Sequence, residues 1–451
     1  MRRSLADLAR RLDARLEGDG TRTVTGAAID SRAVRAGDLF VALPGARTDG
    51  HNFVTQAAAP GAAAALVQRT LPVDLPQVVV TDALAALQRL ARVERAEAAY
   101  RLAAVTGSLG KTTTKEFLAA LLGSTFRVGF TKGSRNSQAG FPAEICSQPE
   151  GIAWMVAELG MNHANELDRL GAIAQPDALL YTVVAPVHLE FFPDIDAIAE
   201  AKAELIRHLR RDGVLVLNAA DPRIAAFAPR FDGNVVRYGM HGDADLWLDS
   251  YQERGLLGSR FLLTGSLGTV EVDWQLPGRH QAENLLAAAT LALAVGVPPA
   301  AIRPAAATLR PAPHRGEVHR LESSGVTVVD DSYNSSPRAA AALLALLAAT
   351  PGRHVAVLGE MLELGGTSLA LHREVGRRAA AAADVVLAVG GDPAAELARA
   401  ANGAQAHHVS NAAEALRLLR GLLRSGDVVL VKGSRGIGLD VVVDGLRAGV
   451  R

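Results

Sequence analysis

VTGSLGKTTTKEF, residues 105–117, is the stretch that decides how this chain folds. The residues just before its glycine turn, 102–105, are apolar and few, as in a buried strand. Beyond the turn, Phe117, Leu118, Leu121 and Leu122 recur at helical spacing. The pattern is strand, glycine turn, helix. A helix N-terminus aims unpaired N–H groups and the positive end of its dipole at such a turn, which suits an anion. Lys111 adds a full positive charge, and the Thr112 hydroxyl can ligate a phosphate-bound Mg²⁺. The common phosphate-loop spacing would need a glycine at position 105, where this chain has Val105. An ordinary strand-to-helix turn is the plain alternative.

The pentapeptide TGSLG returns at residues 264–268, inside RFLLTGSLGTVEVDW. This copy lies between two alternating stretches, 259–263 and 269–274, has no lysine and opens no helix. It reads as a hairpin turn in which glycine supplies a positive φ. The same five residues therefore predict a site in one place and a turn in the other.

The chain has 451 residues, enough for two to four domains. It is 49% hydrophobic and 21% charged, ordinary for a globular protein. A formal net charge of zero gives no bulk attraction to nucleic acid or to an anionic membrane. Cys146 is the single cysteine, so no intramolecular disulfide forms and a reducing compartment fits. The opening MRRSLADLARRLDARL is amphipathic and contains acids, unlike a secretory signal. No apolar run reaches the length of a membrane span. A cytoplasmic monomer is expected. Of 47 Lys plus Arg, five are lysine: Lys111, Lys115, Lys132, Lys202 and Lys432. In a chain that otherwise uses arginine, a lysine marks a place where a compact ammonium, or a group able to lose its proton, matters; a sequence bias with five random survivors is the bland alternative.

Residues 1–97 read as a small α/β unit, with strands at 24–29, 64–67 and 78–80, a helix at 52–59 and Asp82 as the N-cap of a following helix. Residues 98–312 form a longer unit. Strands at 102–106, 152–158, 178–184 and 214–217 alternate with helices near 112–122, 140–148, 164–174 and 196–210, which argues for a parallel sheet covered on both faces. A hairpin at 259–274 and a helix at 281–295 follow. Pro311 and Pro313 mark a linker, and residues 313–451 alternate again as a Rossmann-like domain without a G-x-G-x-x-G. The fold class is α/β in three domains.

Metal ligands for a phosphate held at 106–114 belong at neighbouring strand ends. IAWMVAELG ends in Glu158, a carboxylate suited to Mg²⁺, or else a solvated strand end. LLYTVVAPVHLE runs out to His188 and Glu190; alone, His188 reads as a surface or hydrogen-bonding histidine, because imidazole favours softer metals. Lys202, in AEAKAELIRHL, reads by periodicity as exposed.

Taken together, VTGSLGKTTTKE, TKGSRNSQAGFP, VAELGMNH, VVAPVHLEFF, AKAEL, LPGRHQAENLLAA, APHRGEVHR, VVDDSYNSSP, LGEMLELGGTS with LHREVG, and VKGSRG resemble the Mur ligase family in this order across the whole chain. Members open their phosphate loop with Thr-Gly, which accommodates Val105. The resemblance implies an N-terminal UDP-substrate domain, a central ATP-binding P-loop domain and a C-terminal domain that binds the incoming amine and closes over ATP. DSRAVRAGDLFVALPGARTDGHNFV and LGEMLELG are most similar to the member that joins D-alanyl-D-alanine to UDP-N-acetylmuramoyl-tripeptide in cytoplasmic peptidoglycan precursor synthesis. That reaction runs through an acyl phosphate made from ATP. The family implies that Gly107, Ser108, Leu109, Gly110, Lys111, Thr112 and Thr113 hold phosphates, with Asn284 at adenine and Arg315 and Asp331 as a clamp on phosphates and ribose. It implies one Mg²⁺ on Thr112 and Glu158, and a second metal site at His188 and Lys202, the lysine carbamylated. Ser31 and Arg32 resemble the uridine-diphosphate site. Asn136 and Asn334 belong to the substrate contacts, and Glu360, Glu363, Leu364, Ser368 and His372 to D-alanyl-D-alanine recognition. Lys432 resembles a strand-end loop facing the site.

Two departures stand out. Ser137 replaces the second of two asparagines, and Ser335-Ser336 replaces Ala-Asn before Pro337. Two further readings stay open: a Mur or folylpolyglutamate-type ligase for a different amino acid, and a non-catalytic ATP-binding module.

Overall fold

The computed structural model describes residues 1–45 and 48–449. Ala46 and Arg47, inside the DSRAV stretch quoted above, lie outside the described residues, as do the last two residues. The architecture is α/β in three domains. The central sheet has nine strands, in the order 268–274, 259–265, 246–253, 234–239, 214–218, 178–181, 101–106, 154–158 and 128–130. Strands from Leu246–Glu253 to Val128–Phe130 pair in parallel, and the last two strands in chain order close as an antiparallel hairpin.

The strand Arg101–Thr106 is buried throughout apart from Arg101, because helices cover both faces. Ala103 and Val105 face a core with Phe117, Leu118, Leu285 and Ile302 from the helices Lys111–Gly123, Arg279–Ala294 and Pro299–Thr308. Leu102 and Ala104 face the other core, with Leu87, Phe141, Leu170 and Ile198. That second core continues into the first domain through Leu5, Leu8 and Leu39. Asp82 caps Ala83–Glu97 by accepting from Leu84 and Ala85 N–H. Near the far end of that helix, buried Arg95 bonds Asp177 and the Ala174 carbonyl, both at 2.8 Å. One helix thus ties the first two domains together at the boundary expected near residue 97.

The first domain carries a five-stranded sheet, and the third a six-stranded sheet in the order 317–321, 326–331, 427–432, 353–359, 385–389, 405–409, parallel except for its first strand. The second TGSLG is the hairpin turn, with φ 155° at Gly265 and 123° at Gly268. Elsewhere the reading needs correction. The strand expected at 24–29 is split: Thr23–Val24 pairs with Arg3–Ser4, and Gly26–Ala28 enters the sheet. The helix expected to 210 ends at Ala203 and tightens into a 3₁₀ turn, Glu204–His208. Glu317–Leu321 and Gln405–Val409 escaped notice because each is a half-exposed edge strand with a His, His319 or His407, among its less exposed positions, so hydrophobic alternation is weak. Among the described residues no helix is long and apolar enough to cross a membrane.

Candidate active site

The glycine turn sits at the carboxyl end of Arg101–Thr106, where open α/β sheets bind ligands. Gly107 has φ 143° and Gly110 φ 78°. A Cβ on Gly107 would lie 1.9 Å from Thr182 Oγ1, and one on Gly110 2.4 Å from Asn284 Oδ1. No side chain fits either position, so the loop backbone is free to face a phosphate. Gly107→Ala is expected to cost about 2 kcal/mol by overpacking and to abolish ADP binding; calorimetry with ADP and a melting curve check it, and unaltered ADP affinity would remove the loop from the site.

Two lysines from separate helices converge on this turn. Lys111 Nζ donates to the carbonyls of Gly107 (2.8 Å) and Ser108 (3.1 Å). Lys202 Nζ donates to the same Gly107 carbonyl at 3.1 Å. Lys202 is 1% exposed, so the periodicity reading that put it on the surface is wrong. The helix Ile195–Ala203 turns that face inward, and the buried Tyr181 hydroxyl holds the Lys202 carbonyl at 2.7 Å. Burial, then the neighbouring Lys111 charge, push Lys202 well below the ordinary lysine range. Burial likewise lowers Lys111, with Glu158 opposing.

Glu158 is not a solvated strand end: it is 1% exposed. Thr112 Oγ1 donates to one of its oxygens (2.8 Å) and Asn136 Nδ2 to the other (2.6 Å). Thr113 is buried beside Thr112, and Thr114 Oγ1 donates to Asn284 Oδ1 at 3.3 Å. Ser108 donates to the Ala185 carbonyl and Thr182 to the Leu109 carbonyl, which pin the turn to the adjoining strand.

The third domain reaches the same place. His188 Nδ1 bonds the Glu363 carboxylate, and both residues have left-handed backbone, φ 57° and 63°. Such non-glycine conformations are uncommon and cluster at working sites. Burial, the largest influence, lowers the His188 pKa while Glu363 opposes it, which favours neutral imidazole. With Nδ1–H bonded to the carboxylate, Nε2 presents its lone pair. Arg315 stacks 4.1 Å over Tyr333, and both bond Ser134 of the central domain. Lys432 Nζ holds Asp331 and the Asn334 carbonyl, fixing the end of Val326–Asp331. A cavity of about 430 Å³ opens beside Glu283 and Leu286, on the same helix as Asn284, with Arg338 of the third domain in its lining.

Other expected residues stand further back. Ser31 donates to Gln56, and Arg32 lies on Asp30, whose carboxyl it pulls down to about 2. Arg135 of the central domain is near enough to add to that pull. Glu360 packs against Gly390, and its backbone is held by Val389 and Ser434. Two residues expected in dipeptide recognition have side chains that face inward. The Leu364 side chain is buried in the third domain's own core. His372 is fully buried: Nδ1 bonds the Ser368 carbonyl and Nε2 accepts from Met361 N–H, so both ring nitrogens are used in bracing the 360–367 loop. The two serine departures have structural work. Ser336 caps Pro337–Ala348 through Ala339 N–H, and Ser137 accepts from Gly140 N–H at the start of Gly140–Cys146. Sequence reasoning missed Ser134 and Tyr333 as contacts; nothing in their local pattern links positions 199 residues apart.

Three family models match in order: "Mur ligase family, catalytic domain" at residues 23–104, "Mur ligase middle domain" at 105–292 and "Mur ligase, glutamate ligase domain" at 314–435. The UDP-N-acetylmuramoyl-tripeptide–D-alanyl-D-alanine ligase of Escherichia coli (strain K12) is 35% identical over 98% of each chain. Among solved structures, MurF from Acinetobacter baumannii has a TM-score of 0.88 at 29% identity, covering 100% of this chain and 99% of its own. The MurF ligase from Thermotoga maritima in complex with ADP has a TM-score of 0.80 at 30% identity, covering 95% and 98%.

Proposed function

This chain belongs to the Mur ligase family, and we infer that it is an ATP-dependent amide ligase joining D-alanyl-D-alanine to UDP-N-acetylmuramoyl-tripeptide in peptidoglycan precursor synthesis. The observation that carries the reading is the convergence of Lys111 and Lys202 on the Gly107 carbonyl, at the mouth of a phosphate loop beside a buried carboxylate.

A carboxylate resists attack by an amine, because its oxygen is a poor leaving group. Phosphorylation by ATP converts that oxygen into phosphate, the amine displaces it, and an amide remains. The protein must position three substrates and offset phosphate charge. Gly107 to Thr113 cradle the phosphates, with Lys111 as the counter-charge. The cavity beside Glu283 and Leu286, on the helix that carries Asn284, has room for the nucleoside, and Arg315 and Asp331 would clamp the nucleotide from the third domain. Residues 1–97 hold the UDP end through the turn at Ser31 and Arg32. Residues 98–312 bind ATP. Residues 313–451 bring the dipeptide amine through the loop at Glu360 and Glu363.

The residues fit a hard divalent cation. Glu158 is a buried carboxylate whose hydrogen bonds come from two neutral side chains, so it lacks a bonded counter-charge. With the Thr112 hydroxyl it would hold Mg²⁺, which supplies charge neutralisation at the phosphates. His188 Nε2 and a carbamylated Lys202 would form the second metal site. The cytoplasm, where ATP is available, is the compartment this reaction requires.

Phosphate release with UDP-N-acetylmuramoyl-tripeptide tests the reading. D-alanyl-D-alanine is expected to support turnover at least about tenfold faster than single amino acids, the discrimination a hydrogen-bonding pocket gives. Preference for glutamate or a diamino acid would replace this ligase with another of the family. No release with any amine would leave a nucleotide-binding module.

A further inference from the structure

Lys115 lies one turn beyond Lys111 on the helix Lys111–Gly123, and none of its side chain reaches solvent. Its Nζ donates to the carbonyls of Thr131 (2.6 Å) and Gly133 (3.0 Å) and sits 2.7 Å from the Glu116 carboxylate. An ammonium has three N–H donors, and these three acceptors use them all. Gly133, at φ 53°, turns its carbonyl toward the lysine. The segment gripped in this way works in two directions. Asn136 donates to Glu158. Ser134 takes the Tyr333 hydroxyl at 2.8 Å and Arg315 at 3.4 Å, both from the third domain. Arg315 is near enough to Lys111 to act on its charge.

We propose that Lys115 is a positioning residue for the ligase reaction: through residues 131–136 it fixes where the third domain seats Arg315 over the phosphate loop. This rests on the ligase reading above. A lysine that only filled the core would have no reason to give two of its three donors to a segment that bridges to another domain. Arginine cannot replace it, since a planar five-donor fork does not match three acceptors around a single nitrogen.

The test uses the full chain and four variants: Lys115→Met, Ser134→Ala, Tyr333→Phe, and Lys115→Met combined with Ser134→Ala. Phosphate release gives kcat, calorimetry gives ADP affinity, and a melting curve gives stability. Ser134→Ala and Tyr333→Phe are expected to lower kcat about tenfold, and Lys115→Met by 10- to 100-fold, as misplacement without loss of a reacting group does. ADP affinity should change less than about threefold, because the glycine turn itself is untouched. The combined variant should be no slower than Lys115→Met alone, since both changes act on one contact. Wild-type kcat in Lys115→Met and Ser134→Ala overturns the proposal. So do effects that multiply in the combined variant, and a loss of kcat that only tracks lost ADP affinity and stability. An inactive wild-type chain would instead overturn the ligase reading, and an active one with indifferent variants this inference alone.

Discussion

Lys111→Ala is expected to give a folded protein whose phosphate release falls by at least 10²–10³-fold, the usual cost of removing one preorganised charge at a transferring group. The magnitude follows from Coulomb's law. A unit charge about 4 Å from a phosphate oxygen, at an effective dielectric near 20, contributes about 4 kcal/mol, or about three decades of rate. The ammonium lies across the turn on the Gly107 and Ser108 carbonyls. Phosphate oxygens offer a charged acceptor in place of two neutral ones, so the bonds exchange on binding. Folding should survive. The Gly107 carbonyl keeps its bond from Lys202, and removing a buried ammonium also removes its desolvation cost. A melting temperature within about 5 °C of wild type is expected. Steady-state phosphate release and a melting curve check both halves. A variant that turns over normally would mean that the phosphates bind away from this turn.

The expectation for Lys111 could be written from sequence alone, and the reason is local. A strand, a glycine turn and a helix follow one another from Arg101 to Gly123, and helix termini bind anions by geometry that the pattern encodes. Glu158 was legible for a similar cause: it ends a strand beside Arg101–Thr106 in a parallel sheet, where ligands gather. Lys202 was not legible from periodicity, because which face of Ile195–Ala203 turns inward depends on packing against the strand carrying Tyr181. The scarcity of lysine was the better signal. Lys115, Lys202 and Lys432 are each at most 1% exposed, and each grips backbone around the site. At these three positions one compact nitrogen fits among backbone carbonyls; Lys132 is exposed, and Arg95 is an arginine buried among carbonyls. The bond between His188 and Glu363, 175 residues apart, joins two domains, and no local pattern specifies it. For His372 and Leu364 a motif names positions without saying which way the side chains face, and both turn into the third domain.

Lys202→Arg is the sharper test, because it keeps the charge and should still cripple the enzyme. The Lys202 amine is buried, it bonds a single carbonyl, and the charge acting on it is another lysine. Every one of these facts favours the neutral amine, and only the neutral amine has the lone pair that attacks CO₂. In the proposed carbamylation the nitrogen–carbon bond would form, a proton would leave to solvent, and one negative charge would be shared by two oxygens. A buried amine bonded to one carbonyl, within electrostatic reach of His188, would thereby become an anionic oxygen donor. Arginine does not lose its proton in proteins, so it cannot take this step, and its larger fork would press on the Gly107 carbonyl. Phosphate release is expected to fall at least about 10²-fold. Isotope-edited NMR with labelled carbon dioxide should show a carbamate carbon in the wild type that is missing from the variant. Normal turnover by the arginine variant would remove the carbamate from the mechanism and leave Lys202 as a buried brace for the glycine turn.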